Sequence, residues 1–142
     1  MNNQIGPKTR KLIRYIKHNM NLIISEVTNN QITHVQARVL FFLEWMEEEK
    51  KDVYQKNVEE FLSVSKSTAS EIISNLENNG FISRVKLEND GRLRKIVLLE
   101  KGYETNKTIG NTLHDFEERM QKKLTKEELE NFFIIVDKLV ND

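Results

Sequence analysis

One proline and five glycines are all that interrupt this 142-residue chain. A backbone with so few breakers has to run in long helices, because a β-sandwich or a glycine-rich nucleotide fold needs many more turn residues. The apolar residues fall into helical stripes accordingly. Leu12, Ile16, Met20, Ile23 and Val27 recur every three or four positions and predict a first helix over about 8–27, opened by Pro7 and ended by Asn29-Asn30. Thr33 and Gln36 form a capping box, with Ile32 placed to staple onto Ala37. The helix behind them carries Val35, Val39, Leu40, Phe42, Leu43 and Met46 over a wide face, so it is expected to be the central core helix, ending in the charged stretch 47–52.

The middle of the chain changes rhythm. Asn57 with Glu60 predicts a short helix with Val58, Phe61 and Leu62 on one face, interrupted at Ser63-Val64-Ser65. A further helix starts at Ser65 or, on the rival capping pair Thr68 and Glu71, about three residues later, and Asn79-Gly80 closes it. Two strands follow, 81–87 and 92–99, around a tip at Glu88-Asn89-Asp90-Gly91 where Asp-Gly is expected to supply the positive φ of a tight turn. After Lys101-Gly102 a long helix carries Ile109, Leu113, Phe116, Met120 and Leu124. Thr125 and Glu128 then open a last helix bearing Leu129, Phe132, Phe133, Val136, Leu139 and Val140. The fold class expected is mainly α with one small β-hairpin.

Composition removes several functions. Zero cysteine excludes disulfides, thiolate nucleophiles and cysteine-ligated metal, and fits a reducing cytosol, so a cytoplasmic location is expected. The longest apolar runs, 39–43 and 132–136, are far short of the ~20 residues of a spanning helix, and no signal-peptide core follows Lys8, Arg10 and Lys11. No phosphate loop, paired-carboxylate motif or Ser/His/Asp set stands out, so neither catalysis nor a cofactor is expected. His18, His34 and His114 lack metal-ligand spacing and leave a metal site unassigned.

Charge is balanced, 22 basic against 22 acidic residues, yet patterned. Bases without acids fill 8–17, and five bases (Arg84, Lys86, Arg92, Arg94, Lys95) against Glu88 and Asp90 fill 84–95. Two short helices followed by a basic hairpin is the order of a winged helix-turn-helix. Its second helix must bury one face and offer a small polar face to the DNA major groove. On a helical wheel Ala69, Ile72, Ile73 and Leu76 point in. Ser67, Glu71, Ser74 and Asn78 point out, flanked by Thr68, Ser70 and Asn75. Ser65, Lys66 and the helix N-terminus can hold a phosphate, and Lys86, Arg92, Arg94 and Lys95 make the hairpin an arm suited to a narrow minor groove.

At these residues the chain resembles the multiple-antibiotic-resistance regulator (MarR) family. Ile32-Thr33-His34-Val35-Gln36-Ala37-Arg38-Val39-Leu40 is similar to that family's central helix opening, and Val64-Ser65-Lys66-Ser67-Thr68-Ala69-Ser70 to the start of its recognition helix. Leu76-Glu77-Asn78-Asn79-Gly80-Phe81-Ile82-Ser83-Arg84 resembles the end of that helix and the first wing strand, and Asp90-Gly91-Arg92 the wing's Asp-x-Arg. Ile96 to Gly102 resembles the return strand and the turn into the long helix, with Leu99-Glu100 where the family often has Leu-Thr.

The resemblance implies a homodimeric, DNA-binding transcriptional regulator, with dimerisation helices in 1–31 and 101–142 and a winged helix-turn-helix lobe in 32–100. Each protomer would place one recognition helix and one wing on a palindromic operator. Arg92 would enter the minor groove, positioned by an ion pair to Asp90. A pocket between the dimerisation helices and the DNA-binding lobe, to which Tyr15, Phe41, Phe42 and Trp45 could contribute, would take a small aromatic or anionic effector that relieves repression. The alternative is a winged-helix protein-interaction module without DNA binding.

Overall fold

A computed structural model describes residues 3–141, apart from the side chain of Asp90. In chain order the elements are α1 (Ile5–Thr28), α2 (His34–Glu48), α3 (Gln55–Leu62), α4 (Lys66–Asn78), β1 (Ile82–Leu87), β2 (Asp90–Leu98), α5 (Glu100–Gln121) and α6 (Lys126–Val140). They divide into two compact units that meet in sequence within α5, one ending at Ile109 and the other beginning at Gly110.

The helix boundaries follow local chemistry. Asn29, in the left-handed region at φ 51°, stops α1. Thr33 and Gln36 cap α2 reciprocally: the Thr33 N–H donates to Gln36 Oε1 at 2.8 Å and the Gln36 N–H to Thr33 Oγ1 at 3.3 Å. Thr125 and Glu128 do the same for α6. α3 departs from expectation. It starts at Gln55, ahead of the Asn57–Glu60 pair, because Asn57 sits in its first turn and its Oδ1 accepts the Tyr54 N–H at 2.8 Å. Of the two candidate starts for α4, the earlier holds, since Ser65 Oγ accepts the Thr68 N–H at 3.2 Å. Gly80, at φ 79°, ends that region in a Schellman arrangement: its N–H donates to Glu77 O at 3.0 Å and the Phe81 N–H to Leu76 O at 3.0 Å.

The core of the first unit forms around α2, which packs on α1 and β2. Val39, Leu40, Val58, Ala69, Ile73, Leu76 and Ile109 are wholly buried. α3 is tied to α2 by the rings of Phe61 and Phe42, stacked 4.2 Å apart, with the Arg38 guanidinium 5.3 Å from the Phe61 centroid. One polar side chain enters this core from α5: Asn106 Nδ2 donates to Leu40 O at 2.9 Å. The second unit consists of the rest of α5 and α6. Phe116 is buried there, whereas α6 leaves Phe132, Phe133, Ile134, Ile135, Leu139 and Val140 exposed.

The hairpin also corrects the sequence reading. β1 and β2 pair antiparallel from Ile82↔Leu98 to Lys86↔Arg94, and the next pair is Leu87↔Asp90. The turn therefore consists of Glu88 and Asn89, and Asp90-Gly91 belongs to β2. Three residues of β2, Gly91 to Leu93, have no place in the ladder and form an irregularity beside the tip. Among the described residues, positive φ falls at Asn29, Asn30, Lys50, Ser63 and Gly80, none of them at the tip. Lys101-Gly102, read as a turn before the long helix, lies inside its first turn instead.

Gly102 is required there by space. A Cβ would stand 2.6 Å from Phe81 O and 2.8 Å from Leu98 Cδ2, so α5 can approach the base of the hairpin only over a bare Cα. Gly110, in the same helix, has nothing within 4 Å of its Cβ position. Gly102→Ala is expected to destabilise the fold by about 1–3 kcal/mol through overpacking, and Gly110→Ala to stabilise it by up to about 1 kcal/mol through helix propensity. Urea unfolding of both variants tests the contrast.

Candidate nucleic-acid interface

α4 presents two different faces. Ala69, Ile73 and Leu76 are completely buried. Ile72, expected beside them, is only half-buried. Lys66, Ser67, Thr68, Glu71, Asn75 and Asn78 are exposed, while Ser70 and Ser74 are half-buried, Ser74 against Arg84 of the hairpin. The hydroxyls at the helix start engage one another. Ser65 Oγ lies 3.2 Å from Ser67 Oγ and donates to Thr68 Oγ1 at 3.0 Å. Gln55 Nε2 at the start of α3 donates to Lys66 O at 3.3 Å, which braces the two helices of the motif against each other.

The hairpin sorts its bases by strand alternation. The face carrying Ile82, Arg84 and Lys86 pairs in register with Leu98, Ile96 and Arg94. Ile82, Ile96 and Leu98 bury the base of this face, and Lys86 and Arg94 stand exposed beyond them. A groove of about 210 Å³ runs between this face and the helix-turn-helix, lined by Tyr54, Gln55, Lys56, Arg84, Arg92 and Arg94 among others. It contains four cationic side chains and no carboxylate, a surface suited to a polyanion.

Lys95 alternates to the other side. Its Nζ pairs with Asp52 Oδ1 at 2.9 Å in a separate cleft of about 340 Å³ between the end of α2 and the hairpin. The Tyr103 hydroxyl donates to Glu47 in that cleft. This bond to a carboxylate is the main reason its pKa is pushed up to about 12, with burial second. Thus the structure gathers Arg84, Arg92 and Arg94 in one groove beside α4, leaves Lys86 exposed on the same face of the hairpin, and turns Lys95 away from them. The Asp90 side chain lies outside the described residues.

Two residues at the centre of this arrangement escaped the sequence reading as site residues. Arg84 and Glu77 join the first wing strand to α4: the Arg84 N–H donates to Glu77 Oε2 at 3.2 Å, and Arg84 Nε stands 3.4 Å from Glu77 Oε1. Lys56 and Tyr54, in the groove, were also missed. The available signal was alternation, which puts Arg84 on the same side as buried Ile82, where a cation needs a partner.

These features match a family model. The MarR family model covers residues 32–93, which run from the residue before the α2 cap to the irregular stretch of β2. Over that stretch the chain is similar to the MarR family.

The similarity of fold extends over nearly the whole chain. A crystal structure of MepR, a transcription regulator of the Staphylococcus aureus multidrug efflux pump MepA, superposes with a TM-score of 0.85 at 19% identity, covering 96% of each chain. The S. aureus MepR–DNA complex gives 0.66 at 23% identity, covering 92% of this chain and 95% of that one. The heme sensor PefR of Streptococcus agalactiae, in complex with heme, gives 0.67 at 25% identity, covering 96% and 92%. No curated protein sequence matches.

The residues considered for an effector are spread along two helices, α1 and α2. Phe42 is buried against Phe61 and stands 6.5 Å from Trp45 in a tilted arrangement. Trp45 is 56% exposed, Tyr15 is exposed on α1, and Phe41 is half-buried on α2. Among the described residues, no three His, Asp or Glu side chains converge as metal ligands, and no helix is long and apolar enough to cross a membrane. His114 pairs with Glu118 one turn along α5, at 3.4 Å.

His34, at the first position of α2, is the histidine whose environment matters. Burial is the largest cause holding its pKa below the ordinary value, followed by the charges of Arg38 and Lys17. The unfolded chain therefore takes up this proton first as the pH falls through about 6.5. Stability should decline through that window and level off, for this group, below the depressed folded pKa. Denaturation midpoints measured between pH 8 and 5 should drop further for the wild-type chain than for His34→Asn, and equal drops would refute the assignment.

Proposed function

We propose that this chain is a transcription regulator that binds duplex DNA as a two-fold homodimer, with α4 in the major groove and the hairpin tip in the neighbouring minor groove. The observation that carries the reading is a groove between the start of α3 and the hairpin, bordered by α4 at Ile73 and lined by Lys56, Arg84, Arg92 and Arg94 without a carboxylate. Such a surface suits phosphates flanking a helix that is small and polar enough to approach base edges. The DNA complex of MepR supports the same use here. Nothing in the reading requires a catalytic step.

Dimerisation is proposed from the exposed apolar side chains. α6 leaves Phe132, Phe133, Ile134, Ile135 and Leu139 about half exposed, and α1 leaves Ile5, Leu12, Ile13 and Leu22 in a comparable state. Apolar patches of more than a few hundred Å² on a single chain mark interaction surfaces. A C2 dimer built from both chain ends would cover them and would space two recognition helices for a palindrome with half-site centres about 10–10.5 bp apart. Light scattering should give twice the chain mass at micromolar concentration; a monomer would defeat this part of the reading. The proposal includes repression relieved by a small aromatic or anionic ligand, a reading supported by the heme bound to PefR.

Arg92 is assigned to the minor groove. A guanidinium there responds to groove width and potential more than to base identity. Arg92→Ala should weaken binding to selected and mixed-sequence duplexes together and lower the log–log salt slope by about one unit. Titrations at several salt concentrations test this. An unchanged slope would remove the wing from the DNA interface and favour the protein-interaction alternative.

A further inference from the structure

Ser74 occupies the edge of α4 nearest the hairpin and is half-buried. Its Oγ accepts a hydrogen bond from Arg84 Nη2 at 2.9 Å. Arg84 is itself held twice to Glu77, through its backbone N–H and through the 3.4 Å ion pair at Nε. Its side chain is only 21% exposed, so between Glu77 and Ser74 the guanidinium has little freedom to turn elsewhere.

This contact restricts what Ser74 can do. A serine hydroxyl ordinarily donates or accepts as its surroundings require, which makes it a poor discriminator of bases. A guanidinium has five N–H donors and no acceptor, so the Ser74 proton cannot point at Arg84. A helical serine can instead return its proton to the carbonyl one turn earlier. No such bond from Ser74 to Ser70 O forms among the described residues, and the proton is available to the open side of the helix. The adjacent cation also withdraws electron density from Oγ, which weakens it as an acceptor for a second donor.

We infer that Arg84 fixes Ser74 as a hydrogen-bond donor toward DNA, so that α4 selects a base whose major-groove edge presents an acceptor opposite Ser74 and rejects cytosine there. The inference rests on the DNA-binding reading above. Purine N7, guanine O6 and thymine O4 accept in the major groove, whereas cytosine presents only its N4 amine. Arg84 acts as a positioning residue: it sets the direction of a contact that Ser74 makes.

The test uses the full chain, with binding sites selected from random duplex DNA. Ser74→Ala identifies the base position whose preference depends on Ser74. Affinities for all four bases at that position are then compared in the wild-type chain, Ser74→Ala, Arg84→Met, Arg84→Lys and the Ser74→Ala/Arg84→Met double variant. The wild-type chain should prefer an acceptor-bearing base over cytosine by roughly three- to tenfold, the value of one hydrogen bond. Both Arg84 variants should reduce that ratio to the level of Ser74→Ala, and the double variant should reduce it no further. Arg84→Lys keeps the charge but loses the fork that reaches Glu77 and Ser74 together, so it provides the test if Arg84→Met does not fold.

A merely structural role for Arg84 would weaken all four bases alike and leave the ratio intact, and that result would overturn the inference. So would a Ser74→Ala variant that changes no base preference, or a loss reproduced by neutralising a single phosphate, which would make Ser74 a backbone contact. In these outcomes DNA binding itself survives. A wild-type chain that binds no duplex would remove the DNA-binding reading and this inference together.

Discussion

Four elements are fixed to one another at Phe81. Its N–H closes α4 by donating to Leu76 O, and its carbonyl accepts the Leu99 N–H at the end of β2. Its ring is buried, with Lys101 Nζ 4.3 Å from the centroid, and the same ammonium donates to Asn79 O at 2.7 Å. Gly102 lets the first turn of α5 close down on this carbonyl. The end of α4, both strands of the hairpin and the start of α5 thus converge on a single residue whose main-chain donor and acceptor are both used. A buried peptide group left unpaired would be costly, so these elements cannot shift independently without breaking one of the bonds.

That junction explains why helix and hairpin can work as one surface. The wing has only two strands, and an isolated hairpin is marginal in water. Here it is secured by the Phe81 junction, by the Ile96 N–H donating to Val53 O at 2.8 Å, and by Arg84 bridging to Glu77 and Ser74. The irregular stretch of β2 beside the tip lies beyond all three anchors. The hairpin is thus tied down at its base and irregular at its tip.

Strand alternation then determines how the hairpin's charge is used. Five bases in 84–95 form one positive run in the sequence, but successive residues of a strand project to opposite faces. Arg84, Arg92 and Arg94 line the groove beside α4, and Lys95 points into the other cleft against Asp52. The chain carries no net charge and still concentrates four cations in one groove beside α4. A protein organised in this way can hold a polyanion locally without the nonspecific attraction that a uniformly basic chain would have.

Much of this architecture was legible in the sequence because it is encoded locally. The capping boxes at Thr33 and Thr125, the cap at Ser65 and the αL glycine at Gly80 each depend on residues within one turn of each other, and the structure contains all four. Misreadings arose where a local signal competed with packing. Asp90-Gly91 looks like a turn, but pairing of Leu87 with Asp90 moves the turn to Glu88-Asn89 and places the glycine in β2. Asn57 looks like a cap, yet its side chain serves the Tyr54 N–H three residues back, so α3 begins earlier. By itself the sequence determined the order of helices and strands, the apolar faces and the polar character of α4, since these follow from periodicity and from caps that span a few residues. Only the tertiary structure decided that Arg84 reaches Ser74 and Glu77, that Lys95 turns away to Asp52, and that Gly102 must lack a side chain. Each of these depends on how closely two elements approach, and that distance is set by the packing of a core to which the whole lobe contributes.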